Sequence, residues 1–215
     1  DAAQWRAWQI GSDRLRAPTL STAYLEILAA TRPDVGIARF AVDGHVAFLG
    51  VHRRKGHWIA GGLLFNDRQA LIRSLEGPHD PAYLDAAPDL VVNSWRADHL
   101  PEQAFISSAF ESDRQDCRAE LATLYAGDHL VAAEIGFTGL GVNQSWLAAY
   151  DQDMARFGPG TLLLQAIIEA SPARGIDRID LGPGHGAYKQ YFANETYTVL
   201  SGRMRSRTQP SPAAD

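Results

Sequence analysis

Arg156-Phe-Gly-Pro-Gly-Thr-Leu-Leu-Leu-Gln-Ala-Ile-Ile-Glu-Ala170, followed after Pro172 by Gly175-Ile-Asp-Arg-Ile-Asp-Leu181, decides the fold class. Gly158-Pro159-Gly160 opens a helix that runs to about Ala170 and is closed by Pro172. Leu162, Leu163, Leu164, Ile167 and Ile168 wrap most of the way round that helix, which predicts that it is largely buried. A strand from Ile176 to Leu181 follows, with Ile179 and Leu181 on one face and Arg178 and Asp180 on the other. Helix and strand in alternation place the chain among mixed α/β proteins.

Working outward, Ser145 to Tyr150 reads as a short strand before the loop. Glu120–Tyr125 and Leu130–Phe137 read as a hairpin around Ala126-Gly127-Asp128. On the far side, Gly182 to Gly186 is a second glycine loop that opens a short helix over Ala187–Phe192, and Tyr197–Arg203 reads as a last strand. In the first half, Leu20, Tyr24, Leu25 and Leu28 predict a helix over Thr19–Thr31, with Pro33 just beyond. Two apolar strands between Val35 and Val51 flank Asp43-Gly44, a strong hairpin signal. Val51–His57 reads as a basic loop, Trp58–Leu64 as an apolar glycine-rich stretch, and residues 77–116 as the least regular part. The tail from Arg205 is polar and Pro-rich, which predicts mobility.

The 215 residues suffice for one large domain or two small ones. A 46% apolar and 21% charged composition matches soluble globular proteins, which excludes a disordered tail or a coiled coil. The net charge of −5 gives no global attraction to nucleic acid or anionic lipid, and no apolar run is long enough to span a membrane. One cysteine, Cys117, permits neither an internal disulfide nor a Cys-rich zinc site, so a cytoplasmic protein is expected. The first residues, Asp-Ala-Ala, carry neither Met nor a signal-peptide pattern and read as a trimmed end.

Two loops invite chemistry. Arg156–Thr161 leaves backbone N–H groups and the positive end of a helix dipole facing one spot, with Arg156 close by. That suits a phosphate or pyrophosphate, though an ordinary loop–helix junction has the same composition. Gly182, Gly184 and Ala187 fit G-x-G-x-x-G/A, but only 28 residues follow Ala187 and no ribose-binding carboxylate stands at 203–210, so a dinucleotide fold is excluded. The same loop places Tyr188 and Lys189 at a helix start just beyond Asp180. A lysine there can neutralise developing negative charge and a tyrosine can give up a proton, or the first packs and the second is solvated. Neither a P-loop, a G-x-S-x-G elbow nor an H-E-x-x-H metal motif is present; His52 and His57 read as solvated, and Glu111, Asp113, Asp116 and Glu120 as an outer face. Trp146 and Tyr150 suit either core or acceptor lining.

In order, Ala148-Ala-Tyr-Asp151, Arg156-Phe-Gly-Pro-Gly160, the helix, Asp180-Leu-Gly-Pro-Gly184 and Tyr188-Lys-Gln-Tyr-Phe192 resemble the C-terminal domain of GNAT acyltransferases. The pattern is most similar to the cellulose-biosynthesis-type acetyltransferases, which also resemble Fem peptidyltransferases, and it covers about residues 119–203. More loosely, Arg32-Pro-Asp-Val35, Asp43-Gly44 and Gly61-Gly-Leu-Leu-Phe-Asn-Asp67 resemble the first half of that group. The resemblance implies an α+β fold, a mainly antiparallel twisted sheet flanked by helices. It divides the chain into a degenerate GNAT-like half over 1–104, a shortened acyl-CoA-binding half over 105–204 and a disordered tail over 205–215. The shortening is expected near 105–118.

By the same resemblance the cosubstrate is acetyl-CoA or another acyl-CoA, with no metal. Arg156, Phe157, Gly158, Pro159, Gly160, Thr161 and Leu162 bind its pyrophosphate, with Ala155 standing where the family has Arg or Gln. Leu147 and Ala148, in the preceding strand, pair with the pantetheine arm. Tyr188 or Tyr191 resembles the tyrosine that protonates the thiolate, and Lys189 the Fem-type lysine near the reacting carbonyl; with Asp180, Tyr188 and Lys189 form the implied catalytic group. Trp146, Tyr150 and Asp67 line the acceptor side. The implied activity is direct N- or O-acyl transfer to a small-molecule or saccharide acceptor in polysaccharide or cell-envelope metabolism. A catalytically degenerate binding protein and an aminoacyl-tRNA-dependent transferase of the Fem type are the alternatives.

Overall fold

The computed structural model describes residues 2–42, 45–54, 57–60, 103–182, 184, 186–198 and 202–204. Two four-stranded sheets organise them. The second carries the candidate site and is built from β4 (Arg118–Ala126), β5 (His129–Gly139), β6 (Val142–Tyr150) and β7 (Arg178–Asp180), in the order β4-β5-β6-β7. β4, β5 and β6 run antiparallel, as their short connections dictate; β7 is parallel to β6, reached by a helical crossover. The crossover helix is Pro159–Ala170.

Each face of this sheet is covered. On one, Leu163 and Ile167 of the crossover helix pack on Ala132, with Ala122, Leu124, Tyr150 and Ile179 around them. Against the other lie Tyr24 and Leu28 from a helix over Thr22–Thr31, and Phe105, Ile106 and Ala109 from one over Gln103–Glu111. These meet Ile135, Phe137, Leu147 and Ala149 of the strands. Tyr24, Phe105, Phe137 and Trp146 form an aromatic cluster with centroids 5.2–6.2 Å apart, within the range where edge-to-face and tilted pairs attract. We number the helices α1 (Ala2–Ile10), α2 (Thr22–Thr31), α3 (Gln103–Glu111), α4 (Pro159–Ala170) and α5 (Lys189–Phe192).

The first sheet contains β1 (Val35–Val42), β2 (His45–Arg54), β3 (His57–Ala60) and β8 (Gly202–Met204) in that order, all antiparallel. The register Val42↔His45 closes the expected hairpin, whose two turn residues lie outside the described set. Because β8 is the last strand, the chain returns from the second sheet to complete the first. α1, unread in the sequence, holds Trp5 and Trp8 at i,i+3 so that both rings meet Phe48 of β2. Ser21 caps α2, its hydroxyl accepting the Tyr24 N–H at 3.0 Å.

Several expectations are corrected. α4 is one-sided: Leu163, Leu164 and Ile167 are buried, whereas Leu162 is 51% exposed and Ile168 half-buried, because a single sheet face covers the helix. Val51–Arg54 is strand rather than loop, and His52 is buried within it. Asp116 is buried, and Glu120 bonds Arg118 and Arg174, which hold its carboxyl below the ordinary value against the opposing effect of its burial. Within 77–116, read as the least regular part with short helical or extended pieces, Gln103–Glu111 forms α3. β7 is shorter than expected because its pairing with β6 stops at Asp180; among the described residues, the expected last strand pairs at Gly202 and Arg203 and continues to Met204.

Candidate active site

β6 ends at Tyr150, and Asp151 turns the chain. One Asp151 oxygen accepts the Asp153 N–H at 2.9 Å and starts a 3-10 turn over Gln152–Phe157; the other lies 2.7 Å from His129 Nε2. That contact with His129 holds the Asp151 carboxyl below its ordinary range. Gly158 has φ +61°, the left-handed geometry that glycine adopts without a Cβ clash, and it donates to the Ala155 carbonyl at 3.0 Å. Its own carbonyl accepts the Leu162 N–H at 3.0 Å, closing the first turn of α4.

Those bonds decide what remains at the helix start. Pro159 has no N–H, and the N–H groups of Gly160 and Thr161 precede the first intrahelical donor. Among the described residues no side chain caps them, and no acidic residue stands in the first turn. The positive end of the α4 dipole and two backbone donors therefore face outward together, which favours an anion. A Cβ on Gly160 would lie 3.4 Å from Tyr150 Cδ1, so the helix start packs beside the tyrosine ring. Arg156 stacks its guanidinium over Phe157, 4.5 Å from the ring centroid.

The second part of the site lies where β6 and β7 separate. Their pairing ends at Gln144↔Asp180, while β6 continues along β5 to Tyr150. Opposite Ile135 and Gly136 stand Leu147 and Ser145, which leaves Trp146 as the extra residue of a bulge. Trp146 packs against Phe105 and Phe137, on the core side. Leu147 is buried on that same face, Ala148 is half-buried, and Tyr150 sits beneath α4. The α4 start and the loop after Asp180 both lie at the carboxyl ends of the parallel pair. In open α/β sheets, that is where ligands enter the crevice.

Around Gly182 the loop is braced by side chains. Asp180 Oδ1 accepts the Gly182 N–H at 2.8 Å, and Asp180 Oδ2 accepts the Tyr197 hydroxyl at 2.5 Å. Lys189 Nζ donates to the Gly182 carbonyl at 2.8 Å. Gly182 itself has φ +71°, and a Cβ there would approach the Ser145 carbonyl to 3.5 Å. Asp180 and Lys189 are thus brought together at one residue. The Tyr188 ring lies over Gly186, where a Cβ would meet it at 2.8 Å, and Tyr191 points into solvent. Asp67 lies outside the described residues. Tyr197 and the His129–Asp151 pair escaped the sequence reading. No spacing rule joins residues 17 or 22 apart.

A family model described as an acetyltransferase (GNAT) domain matches residues 66–190. No curated protein and no solved structure matches the chain. The matched span takes in 125 of the 215 residues (190 − 66 + 1), including α3, both glycine loops and Lys189. With a mixed sheet flanked by helices and an uncapped helix start after β6, the chain belongs to the acetyltransferase (GNAT) domain family.

Proposed function

We propose that the protein is an acyl-CoA-dependent N- or O-acyltransferase that acts on an amine or hydroxyl of a small molecule or saccharide. The observation that carries this reading is the pair of uncapped N–H groups at Gly160 and Thr161, beside a β6 that outruns its parallel partner. The donor set fits a pyrophosphate: two backbone donors, a helix dipole and no competing carboxylate in the first turn. A thioester supplies an activated carbonyl, which the acceptor attacks as the carbon–sulfur bond breaks.

The residues of this chain then divide the work. The α4 start orients the nucleotide end, and β6 beyond Gln144, where its pairing with β7 ends, lies alongside an extended amide-bearing arm. The Lys189 ammonium, held at the Gly182 carbonyl, supplies positive charge to a developing oxyanion. The Tyr188 hydroxyl gives its proton to the leaving sulfur and is restored by the proton that the attacking amine or hydroxyl loses. Resemblance to the cellulose-biosynthesis-type group supports a saccharide acceptor.

Thermal unfolding with and without acetyl-CoA and coenzyme A tests the reading. Ligand at about 100 times its Kd adds about 2.7 kcal/mol to the native state. At about 2–4 °C per kcal/mol for this chain length, Tm should rise by several degrees. A cooperative transition that neither ligand moves would refute the reading.

A further inference from the structure

Tyr197 lies in the segment between α5 and β8, outside the matched family span. Its ring is 64% exposed, yet its hydroxyl is committed to Asp180 Oδ2 at 2.5 Å. Partial burial, and next the adjoining carboxylate, raise the phenol above its ordinary pKa, so it keeps its proton and remains a donor. Among the described residues, Asp180 accepts the Tyr197 hydroxyl on one oxygen and the Gly182 N–H on the other. The Gly182 carbonyl then takes the Lys189 ammonium at 2.8 Å.

We propose that Tyr197 is a positioning residue for Lys189, acting through Asp180 and Gly182. The inference rests on the acyltransferase reading for its catalytic consequence, but the anchoring itself does not. Gly182 has positive φ and no Cβ, and its Cα joins two peptides: the N–H of the first bonds Asp180 and the carbonyl of the second bonds Lys189. Without the phenol, Asp180 can rotate about its side-chain torsions, the Leu181–Gly182 peptide loses a fixed acceptor, and its movement passes through the Gly182 Cα to the next peptide, whose carbonyl bonds Lys189. Asp180 is then a brace, with its charge shared between two donors. The same link ties the loop to the first sheet, because the segment carrying Tyr197 leads into β8.

The chain has only two lysines, Lys55 and Lys189, which makes the anchoring measurable without turnover. Brief labelling with an amine-reactive ester, read by mass spectrometry, gives the Lys189/Lys55 ratio in the full chain and in the Tyr197→Phe variant. Phenylalanine keeps the ring and removes the hydroxyl alone. We expect Lys189 to label on the order of 10-fold faster relative to Lys55, as befits loss of a hydrogen bond to a charged group. An unchanged ratio, or an equal rise at both lysines, overturns the proposal.

A kinetic arm follows thiol release from acetyl-CoA with glucosamine, which offers an amine and hydroxyls. In Tyr197→Phe, kcat should fall on the order of 10-fold with the KM for acetyl-CoA unmoved. In a Lys189→Ala background the same substitution should cost nothing further. An undiminished kcat, or an additive loss, overturns the positioning role. A wild-type chain that releases no thiol with glucosamine excludes that acceptor, and the thermal shift with coenzyme A then decides the acyltransferase reading. The labelling ratio alone then decides whether Tyr197 holds Lys189.

Discussion

Thr161→Asp separates the stability of α4 from its proposed duty, because the two should move in opposite directions. Thr161 is exposed in the first turn, beside N–H groups that no side chain caps. A carboxylate there complements the helix dipole and stabilises the free protein by about 0.3–1 kcal/mol. At about 2–4 °C per kcal/mol, that raises Tm by roughly 1–4 °C. The same carboxylate stands where two pyrophosphate charges would sit. Each repulsion is worth about 1 kcal/mol at about 4 Å in water, so about 2 kcal/mol together, or about 30-fold in Kd. At a ligand concentration of about 100 times the wild-type Kd, stabilisation by coenzyme A should fall from about 2.7 to about 0.9 kcal/mol. Differential scanning fluorimetry with and without coenzyme A measures both numbers on one plate. A variant stabilised in the free state but equally responsive to coenzyme A would show that the phosphates do not meet the α4 start. A variant with no stabilisation in the free state would show that the N–H groups already have partners.

Three further outcomes follow from the packing and the charges. Phe105→Ala removes a ring that is 1% exposed and touches Tyr24, Phe137 and Trp146; chemical denaturation should show a loss of about 3–5 kcal/mol. Burial pushes the Cys117 thiol up to about 12, so a thiol reagent at mildly alkaline pH should find no reactive group until the chain is unfolded, and then one. Arg32, hydrogen-bonded to Asp34 at 2.8 Å, holds the Asp34 carboxyl below its ordinary value of 3.8. The stability this adds is complete above that value and lost as pH falls through the lower folded-state one. Urea midpoints of wild type and Arg32→Ala should therefore differ at neutral pH and converge in strong acid.

The second half was legible because its signals are local. Gly127 at a hairpin turn, Gly158 before Pro159 and the apolar run of α4 each dictate structure within a few residues, and β4, β5, β6 and α4 lie where those signals put them. α1 was missed because half of its apolar residues are alanines, which mark no face; its two tryptophans gain a partner only when β2 brings Phe48 beneath them. His52 and Asp116 were misread for a related reason: charge and polarity suggest solvent, while a neighbouring strand or loop buries them regardless.

For the candidate site, the sequence determined the backbone donors and their order. A glycine, a proline and a second glycine before a helix leave the same unpaired N–H groups in any fold, because proline lacks a donor and the first turn has no acceptors. Only the tertiary structure decided what those loops face. It parted β6 from β7 after Gln144 and brought both glycine loops to the carboxyl end of one parallel pair. It also carried Tyr197, 17 residues along the chain, back to Asp180. Side-chain hydrogen bonds at that separation depend on how the chain returns to the first sheet, and no spacing within a segment encodes that return.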